Sequence, residues 1–465
     1  PHTVKPRSPT PAEQNMTFST QLSACAVAAG PAAPMSAFAT NGYFAHGYSA
    51  KSKALGGGGS ALPQDAMTAA DNPAGMVWVG ERMDLGLSIF SPSARGYKAS
   101  NPSQAPGPGD FILQPGDFES DNDFFLIPHF AYNWMLNADS SIGVTVYGNG
   151  GMNTEYPESM YQDPDGAGPL QPGTFYAGKA GVNLEQLFTN VSYSRKINDK
   201  HSWGVSAILA YQRFSADGLA TFGAFGLSSD PTKLTNNSTD TSIGFGAKIG
   251  WLGEVSPGLT LAASYQTKMS MDEFSDYAGL FAENGGFDIP SSWTLGLAWD
   301  ITKTGTLTFD VQGIQYSDVK AINNPLSKFF NPGCSGGVGA GCLGASDGAG
   351  FGWEDMVVYK LGYQWATSPT WTWRVGASIT EQPIPESEVL FNILAPGVME
   401  THLTGGFTYT LATDNEITFA AMYAPEVKVK GPNVFADAFT SSGITQDIEL
   451  YMSQWELTAS WGLKF

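Results

Sequence analysis

The sequence predicts an all-β protein: a fourteen-stranded antiparallel transmembrane β-barrel whose lumen holds an N-terminal hatch. Three observations predict it. Charged residues make up 14% of the chain, against about 25% in ordinary soluble domains. Glycine and aromatic residues are abundant, at 55 glycines and 12% aromatics. Stretches of about ten residues alternate apolar with polar, as strands do when one face meets lipid. No apolar run approaches the ~20 residues that a helical span requires. A net charge of -20 argues against a nucleic-acid partner, because phosphate contacts need a basic surface. A hydrophobic content of 42% argues against disorder.

Residues 1–39 read as upstream residues and a secretory leader. Ser23 to Ala39 is small and apolar and ends in Ala37-Phe38-Ala39, an A-x-A cleavage pattern. Two prolines interrupt it, and Lys5 and Arg7 lie upstream of Met16. A rival cleavage before Cys25 has too short an apolar stretch in front of it. Residues 40–81 do not alternate; they include Gly56-Gly57-Gly58-Gly59-Ser60 and Asp71-Asn72-Pro73-Ala74-Gly75. Eight strands already enclose a lumen that side chains fill, so fourteen leave room for a plug. The 40–81 segment is the candidate, the alternative being a loose tail.

The barrel is expected over 82–465, with strands at 82–90, 124–133, 141–149, 184–196, 201–213, 242–252, 259–269, 291–301, 305–317, 355–365, 371–380, 400–411, 416–425 and 449–465. Ile243, Phe245, Ala247, Ile249 and Trp251 interleave with Gly244, Gly246, Lys248 and Gly250; Trp371, Trp373, Val375, Ala377 and Ile379 interleave with Thr372, Arg374, Gly376 and Ser378. Alternation alone does not separate a barrel from a soluble sandwich. The connections do: they alternate long and short along the chain, as in bacterial barrels with short periplasmic turns and long external loops. Trp203, Tyr211, Trp251, Tyr265, Trp299, Tyr363 and Trp365 sit at strand ends, where rings with a polar tip suit the membrane interface. The last strand alternates to a C-terminal Phe465. It resembles the signature by which the barrel assembly machinery recognises its clients. The expected location is the bacterial outer membrane, with its lipid and lipopolysaccharide as surroundings.

Gly42-Tyr43 through Met76, with Ala54-Leu55-Gly56-Gly57 and Asn72-Pro73-Ala74, resembles the start of FadL-type outer-membrane transporters of long-chain fatty acids and other hydrophobic compounds. Ile289-Pro290-Ser291-Ser292-Trp293, and Trp371-Thr372-Trp373-Arg374-Val375-Gly376 followed by Pro383-Ile384-Pro385, resemble later blocks of the same family. The resemblance covers 41–465 and implies a hatch carrying the Asn72, Pro73, Ala74 motif. It implies uptake of long-chain fatty acids or of monoaromatic hydrocarbons: capture in an apolar groove among the long loops, passage to a site above the hatch, and exit through a gap where the third strand kinks inward. Gly148, Gly150 and Gly151 are the expected kink, since glycines permit such a bend; alternatively they simply open the long loop that follows.

A carboxylate out of water needs a cation or several donors. Strand parity turns Lys248, Lys268, Lys360 and Arg374 inward. These are the candidate headgroup residues, Lys360 and Arg374 lying on adjacent strands. The alternative is that they pair with Asp310, or with hatch acids Asp65 and Asp71. Phe188 and Phe391 stand for an expected greasy capture site, together with Phe175, Phe222, Phe225, Phe329-Phe330 and Val389-Leu390, as apolar groups exposed in loops. Residues 386–394 also read as a loop folded over the barrel mouth. Cys334 and Cys342 share one long loop bound for an oxidising space, where a structural disulfide is expected.

No enzyme is expected. Gly344-Ala345-Ser346-Asp347-Gly348 matches a hydrolase elbow but lacks the strand–helix context that chemistry needs. Gly173 to Lys179 spaces like a phosphate loop, but Ala180 stands where a hydroxyl should hold magnesium. The histidines show no metal spacing, and Asp117, Glu119, Asp121 and Asp123 lack the glycine and terminal glutamate of a calcium loop. No cofactor or metal is therefore expected. A general water-filled porin is the remaining alternative.

Overall fold

The computed structural model describes residues 40–161, 171–331, 333–412 and 414–465. The expected leader, with Cys25, lies outside the described residues. Among these no helix is long and apolar enough to cross a membrane.

Fourteen long antiparallel strands form the wall: β1 Arg82–Ala99, β2 Phe125–Asn137, β3 Ser140–Tyr156, β4 Ala180–Lys196, β5 His201–Asp217, β6 Asp240–Ser256, β7 Leu259–Gln266, β8 Ser292–Thr302, β9 Gly305–Ile314, β10 Met356–Ala366, β11 Trp371–Ile379, β12 Thr401–Ala412, β13 Asn415–Pro432 and β14 Asp447–Lys464. Each pairs with its neighbours in sequence. The sheet closes where β14 meets β1, from Lys464↔Arg82 up to Ile448↔Ala99. Closure leaves no edge strand, so every wall strand finds backbone partners on both sides over most of its length. A lipid core offers no water to substitute for them. The connections at one end are short, such as 138–139, 257–258 and 303–304, while those at the other are long, up to 315–355.

The period of two becomes a two-faced wall. Leu85, Leu87 and Ile89 on β1, Ile243, Phe245 and Ile249 on β6, and Trp373, Val375 and Ile379 on β11 are exposed, Phe245 to 71%. Their neighbours Asp84, Ser88, Lys248, Arg374 and Ser378 are buried inside. An apolar belt on this scale is stable only against lipid.

Residues 40–81 lie against the inward face. Two short strands (Thr40–Asn41 and Phe44–Ala45), two short helices (Ala50–Lys53 and Thr68–Asp71) and a 3-10 turn (Pro73–Trp78) make up the segment. Wall glycines receive it at close range. A Cβ on Gly250 would lie 1.9 Å from the Asn72 Oδ1, and one on Gly376 would lie 2.3 Å from the Gly56 nitrogen. The inward glycines of the alternating strands are thus the places where a second layer of backbone fits.

Several strands end differently from the sequence reading. β7 stops at Gln266, which pairs with Lys248, and the chain rejoins β6 only at Ser270–Met271. Lys268 therefore stands in a loop, half-exposed, paired with Asp288 at 2.9 Å. Its expected inward position fails because parity was carried past the end of the ladder. β1, β13 and β14 rise further than expected, to Ala99, Pro432 and Asp447.

Replacing Gly250 by valine is expected to push the Asn72–Pro73 turn off the wall. Single-channel conductance in planar bilayers should rise several-fold while the barrel keeps its heat-modifiable migration. Unchanged conductance would show that the 40–81 segment is not held by this contact.

Candidate functional site

The Asn72-Pro73-Ala74 motif works as a helix start. The Asn72 Oδ1 accepts from the Ala74 N–H at 3.1 Å, capping the 3-10 turn whose first residue is proline. The Asn72 Nδ2 donates to the Trp251 carbonyl at 3.0 Å. Ser194 and Ser202 donate to the Ala74 carbonyl at 3.1 and 2.7 Å. The motif is therefore docked on β4, β5 and β6.

The inward basic residues bind the same segment. Lys360 Nζ donates to the carbonyls of His46 and Gly57 at 3.1 and 3.0 Å. The neighbouring Asp310 accepts from the Gly59 and Ser60 N–H groups, both at 2.9 Å. Arg374 grips the Gln64 side-chain oxygen through Nε and Nη2 at 3.2 and 2.7 Å, and Thr408 through Nη1. Lys248 donates to the Ala70 carbonyl. Lys360 and Arg374 do not converge: each holds a different stretch of the segment. At the short-turn end, Arg82 joins Asp84 and Glu416, both at 2.6 Å, and Lys51 joins Glu416. Lys53 joins Glu456. These charges are buried, so each partner is needed by the other.

The loop apolar groups are mostly inside rather than exposed. Phe175, Phe222, Phe329, Val389 and Leu390 are buried, because the long loops pack on one another over the barrel, and Phe188 is buried within strand β4. Phe188 packs edge-on to Tyr147 at 5.7 Å on the wall, away from Phe391. Phe225, Phe330 and Phe439 do stay exposed, Phe330 to 52%. They open an aromatic column. Phe225 stacks on Phe439 at 5.0 Å, Phe439 and Phe330 meet Phe435 at 5.6 and 6.1 Å, and Phe435 meets Phe391 at 6.2 Å. Phe391 then meets Phe222 at 5.2 Å. Those two rings line an apolar cavity of about 430 Å³ including its mouth, with Val182, Leu219, Phe351 and Leu394. Glu388, beside it, accepts from the Leu326 N–H at 2.8 Å, and burial raises its carboxyl above the usual range.

A second cavity, of about 350 Å³ including its open mouth, adjoins the N-terminal segment. Tyr43, Phe90, Arg95, Met152, Trp353, Ala395 and Met452 line it. The stretch from Leu394 to Ala395 borders both cavities. Beside it the wall changes. The β2–β3 ladder ends at His129↔Tyr147. β3 bulges against β4 between Gly148 and Gly150. Gly150 then pairs with Phe44, and the Gly151 N–H donates to the Tyr43 carbonyl at 3.2 Å. Gly148, Gly150 and Gly151 thus sit where β3 leaves β2 and meets the N-terminal segment.

Parity reasoning missed Arg95. A bulge in β1 sets Ser91 opposite Trp455 but Ala94 opposite Ser453. One extra residue on β1 flips the faces. Below it the even residues Asp84, Ser88 and Phe90 are inside; above it Arg95, Tyr97 and Ala99 are. Pro92 within the strand was the available signal, since proline inside a strand marks an edge or a bulge. Cys334 and Cys342 form a disulfide in the 315–355 loop.

A lipid-facing closed barrel, an occupied lumen and an apolar route from its outer loops define an outer-membrane transport protein. The sequence profile of the family described as outer membrane protein transport protein (OMPP1/FadL/TodX) matches residues 26–450, and the chain belongs to that family. A long-chain fatty acid transport protein of Escherichia coli O6:H1 is 24% identical over 355 residues, covering 68% of this chain and 74% of that one. The toluene transporter TodX of Pseudomonas putida shares the fold with a TM-score of 0.62 at 17% identity, over 92% of this chain and 100% of that one. A FadL homologue of Pseudomonas aeruginosa does so with a TM-score of 0.62 at 14% identity, over 91% and 100%.

Glu416→Gln should leave the buried Lys51 without its carboxylate and Arg82 with Asp84 alone, and lower barrel stability by about 3–5 kcal/mol. The urea midpoint of the heat-modifiable band checks it; a midpoint unchanged within error would mean the network carries no stability.

Proposed function

We propose that this chain takes up long-chain fatty acids or similar hydrophobic molecules across the outer membrane. The observation that carries this reading is the aromatic column running from exposed Phe225, Phe330 and Phe439 to the cavity at Phe391 and Phe222. Surface rings capture an apolar molecule because water is released from both. The molecule then passes the Leu394–Ala395 stretch into the second cavity, above the 40–81 hatch. It leaves sideways between β2 and β3, where Gly148, Gly150 and Gly151 turn the strand inward. The hatch stays in place, held by Lys248, Lys360 and Arg374, so the exit is in the wall and not through the plug. The organisation proposed is a leader over 1–39, a hatch over 40–81 and a barrel over 82–465. Phe465 is the contact proposed for the barrel assembly machinery, and the acidic outer loops for lipopolysaccharide through shared divalent ions.

The names of the relatives support both fatty acids and toluene as cargo. A water-filled porin is disfavoured by the occupied lumen.

Cells lacking their own transporter and expressing this chain should gain uptake of labelled oleate or labelled toluene. The Phe222→Ala/Phe391→Ala double variant should lose most of that gain, normalised to barrel in the membrane. Uptake of neither compound, or full uptake by the variant, would overturn the route. Lys360→Ala/Arg374→Ala is expected to raise conductance by loosening the hatch. If it instead abolished oleate uptake with conductance unchanged, the two cations would be headgroup ligands.

A further inference from the structure

Arg95 is buried to all but 6% of its surface, yet among the described residues no carboxylate lies within 4 Å of its guanidinium. The other arginines held inside the barrel are better supplied: Arg82 has two carboxylates, and Arg374 has Gln64 and Thr408. Arg95 has the Asn122 carbonyl at 2.6 Å and the Ser120 hydroxyl at 3.3 Å, both through Nη2. Its Nε is buried with no hydrogen-bond partner. A desolvated cation with an unused donor is an unfavourable arrangement for a free protein. It becomes favourable when an anion arrives, because a carboxylate oxygen takes the unused N–H in a charge-assisted hydrogen bond.

The surroundings fit one kind of anion. Arg95 lines the cavity beside the hatch, whose other walls include Phe90, Met152, Trp353, Ala395 and Met452. One cation on a mostly apolar wall, whose neutral polar groups are Thr40, Tyr43, Asn153 and Gln454, suits an amphiphile with a single acidic end. The Asn122 and Ser120 contacts come from the segment that bridges β1 to β3: the Asp121 N–H donates to the Glu155 carbonyl at 2.8 Å, and the Asn122 side chain to Asn153 at 3.0 Å. Arg95 therefore stands directly behind the place where β2 and β3 part.

We infer that Arg95 is the carboxylate-recognising residue of this transporter, and that its preferred cargo is a long-chain carboxylate rather than a hydrocarbon. The inference rests on the uptake route proposed above. The acid binds as its anion, one oxygen accepting from the unused Arg95 Nε–H and its first methylenes against Trp353, Met152 and Met452. A hydrocarbon meets the same walls and gains nothing from the guanidinium.

The test is equilibrium binding of labelled oleate, methyl oleate and toluene to the full chain in lipid nanodiscs. Arg95→Gln and Arg95→Lys are compared with the unaltered protein, with heat-modifiable migration as the folding control. Arg95→Gln should weaken oleate roughly tenfold, the worth of one charge-assisted contact, and leave methyl oleate unchanged. Arg95→Lys, which keeps the charge, should fall between. Equal losses for oleate and its ester, or no loss for oleate, overturn the assignment and make Arg95 a structural tie to Asn122. Binding of toluene but not oleate by the unaltered protein overturns the assignment while the uptake route stands. Binding of none of the three overturns both.

Discussion

A backbone N–H at membrane depth must find a carbonyl, because lipid supplies no substitute. Everything else in this molecule is arranged around that requirement. It closes the sheet between β14 and β1 over their full length. It also explains what happens where β3 departs from its neighbour. Above Tyr147 β3 no longer pairs with β2, and its freed groups turn to other partners: Gly151 to the Tyr43 carbonyl, and Glu155 to Ser120 and Asp121. The departure of β3 is possible because the N-terminal segment lies within reach to accept it.

The same requirement sets the lumen's chemistry. Fourteen strands enclose more space than inward side chains fill, and the space is taken by a segment rich in small residues and unpaired carbonyls. Lys248 and Lys360 end on those carbonyls, and Arg374 on the Gln64 side chain. The barrel's inner charges are thus largely a fastening, and their number says little about cargo. Arg95 stands apart because what it touches is one carbonyl and one hydroxyl, at the edge of a cavity.

The wall was legible in the sequence because period-two alternation is local: Ile243 to Trp251 needs only its own neighbours to declare a strand. The alternation of connection lengths gave the closed barrel and its direction for the same reason. What alternation cannot carry is a change of phase. Lys268 was misplaced by extending parity beyond Gln266, and Arg95 was overlooked by failing to reverse it at the β1 bulge. The loops hid for a different reason. Phe222, Phe391 and Phe435 are distant in sequence, and only their tertiary packing decides that they are buried while Phe225 and Phe439 are not. The basic residues were recognised as inward, but which groups they would meet depended on a segment some 180 to 310 residues away.

The short ladder between β2 and β3 also has a mechanical meaning. The ladders at β6–β7, β7–β8 and β10–β11 are also eight rungs long, but there they span nearly the whole of the shorter strand. Between β2 and β3 the rungs run only from His129 to Asn137. If the wall opens here as proposed, the surrounding acyl chains, which press on the barrel from every side, bear directly on this seam. The width of that opening would then be set jointly by the chain and by the packing of its lipids, and a stiffer or thicker bilayer would tighten it without touching a single residue.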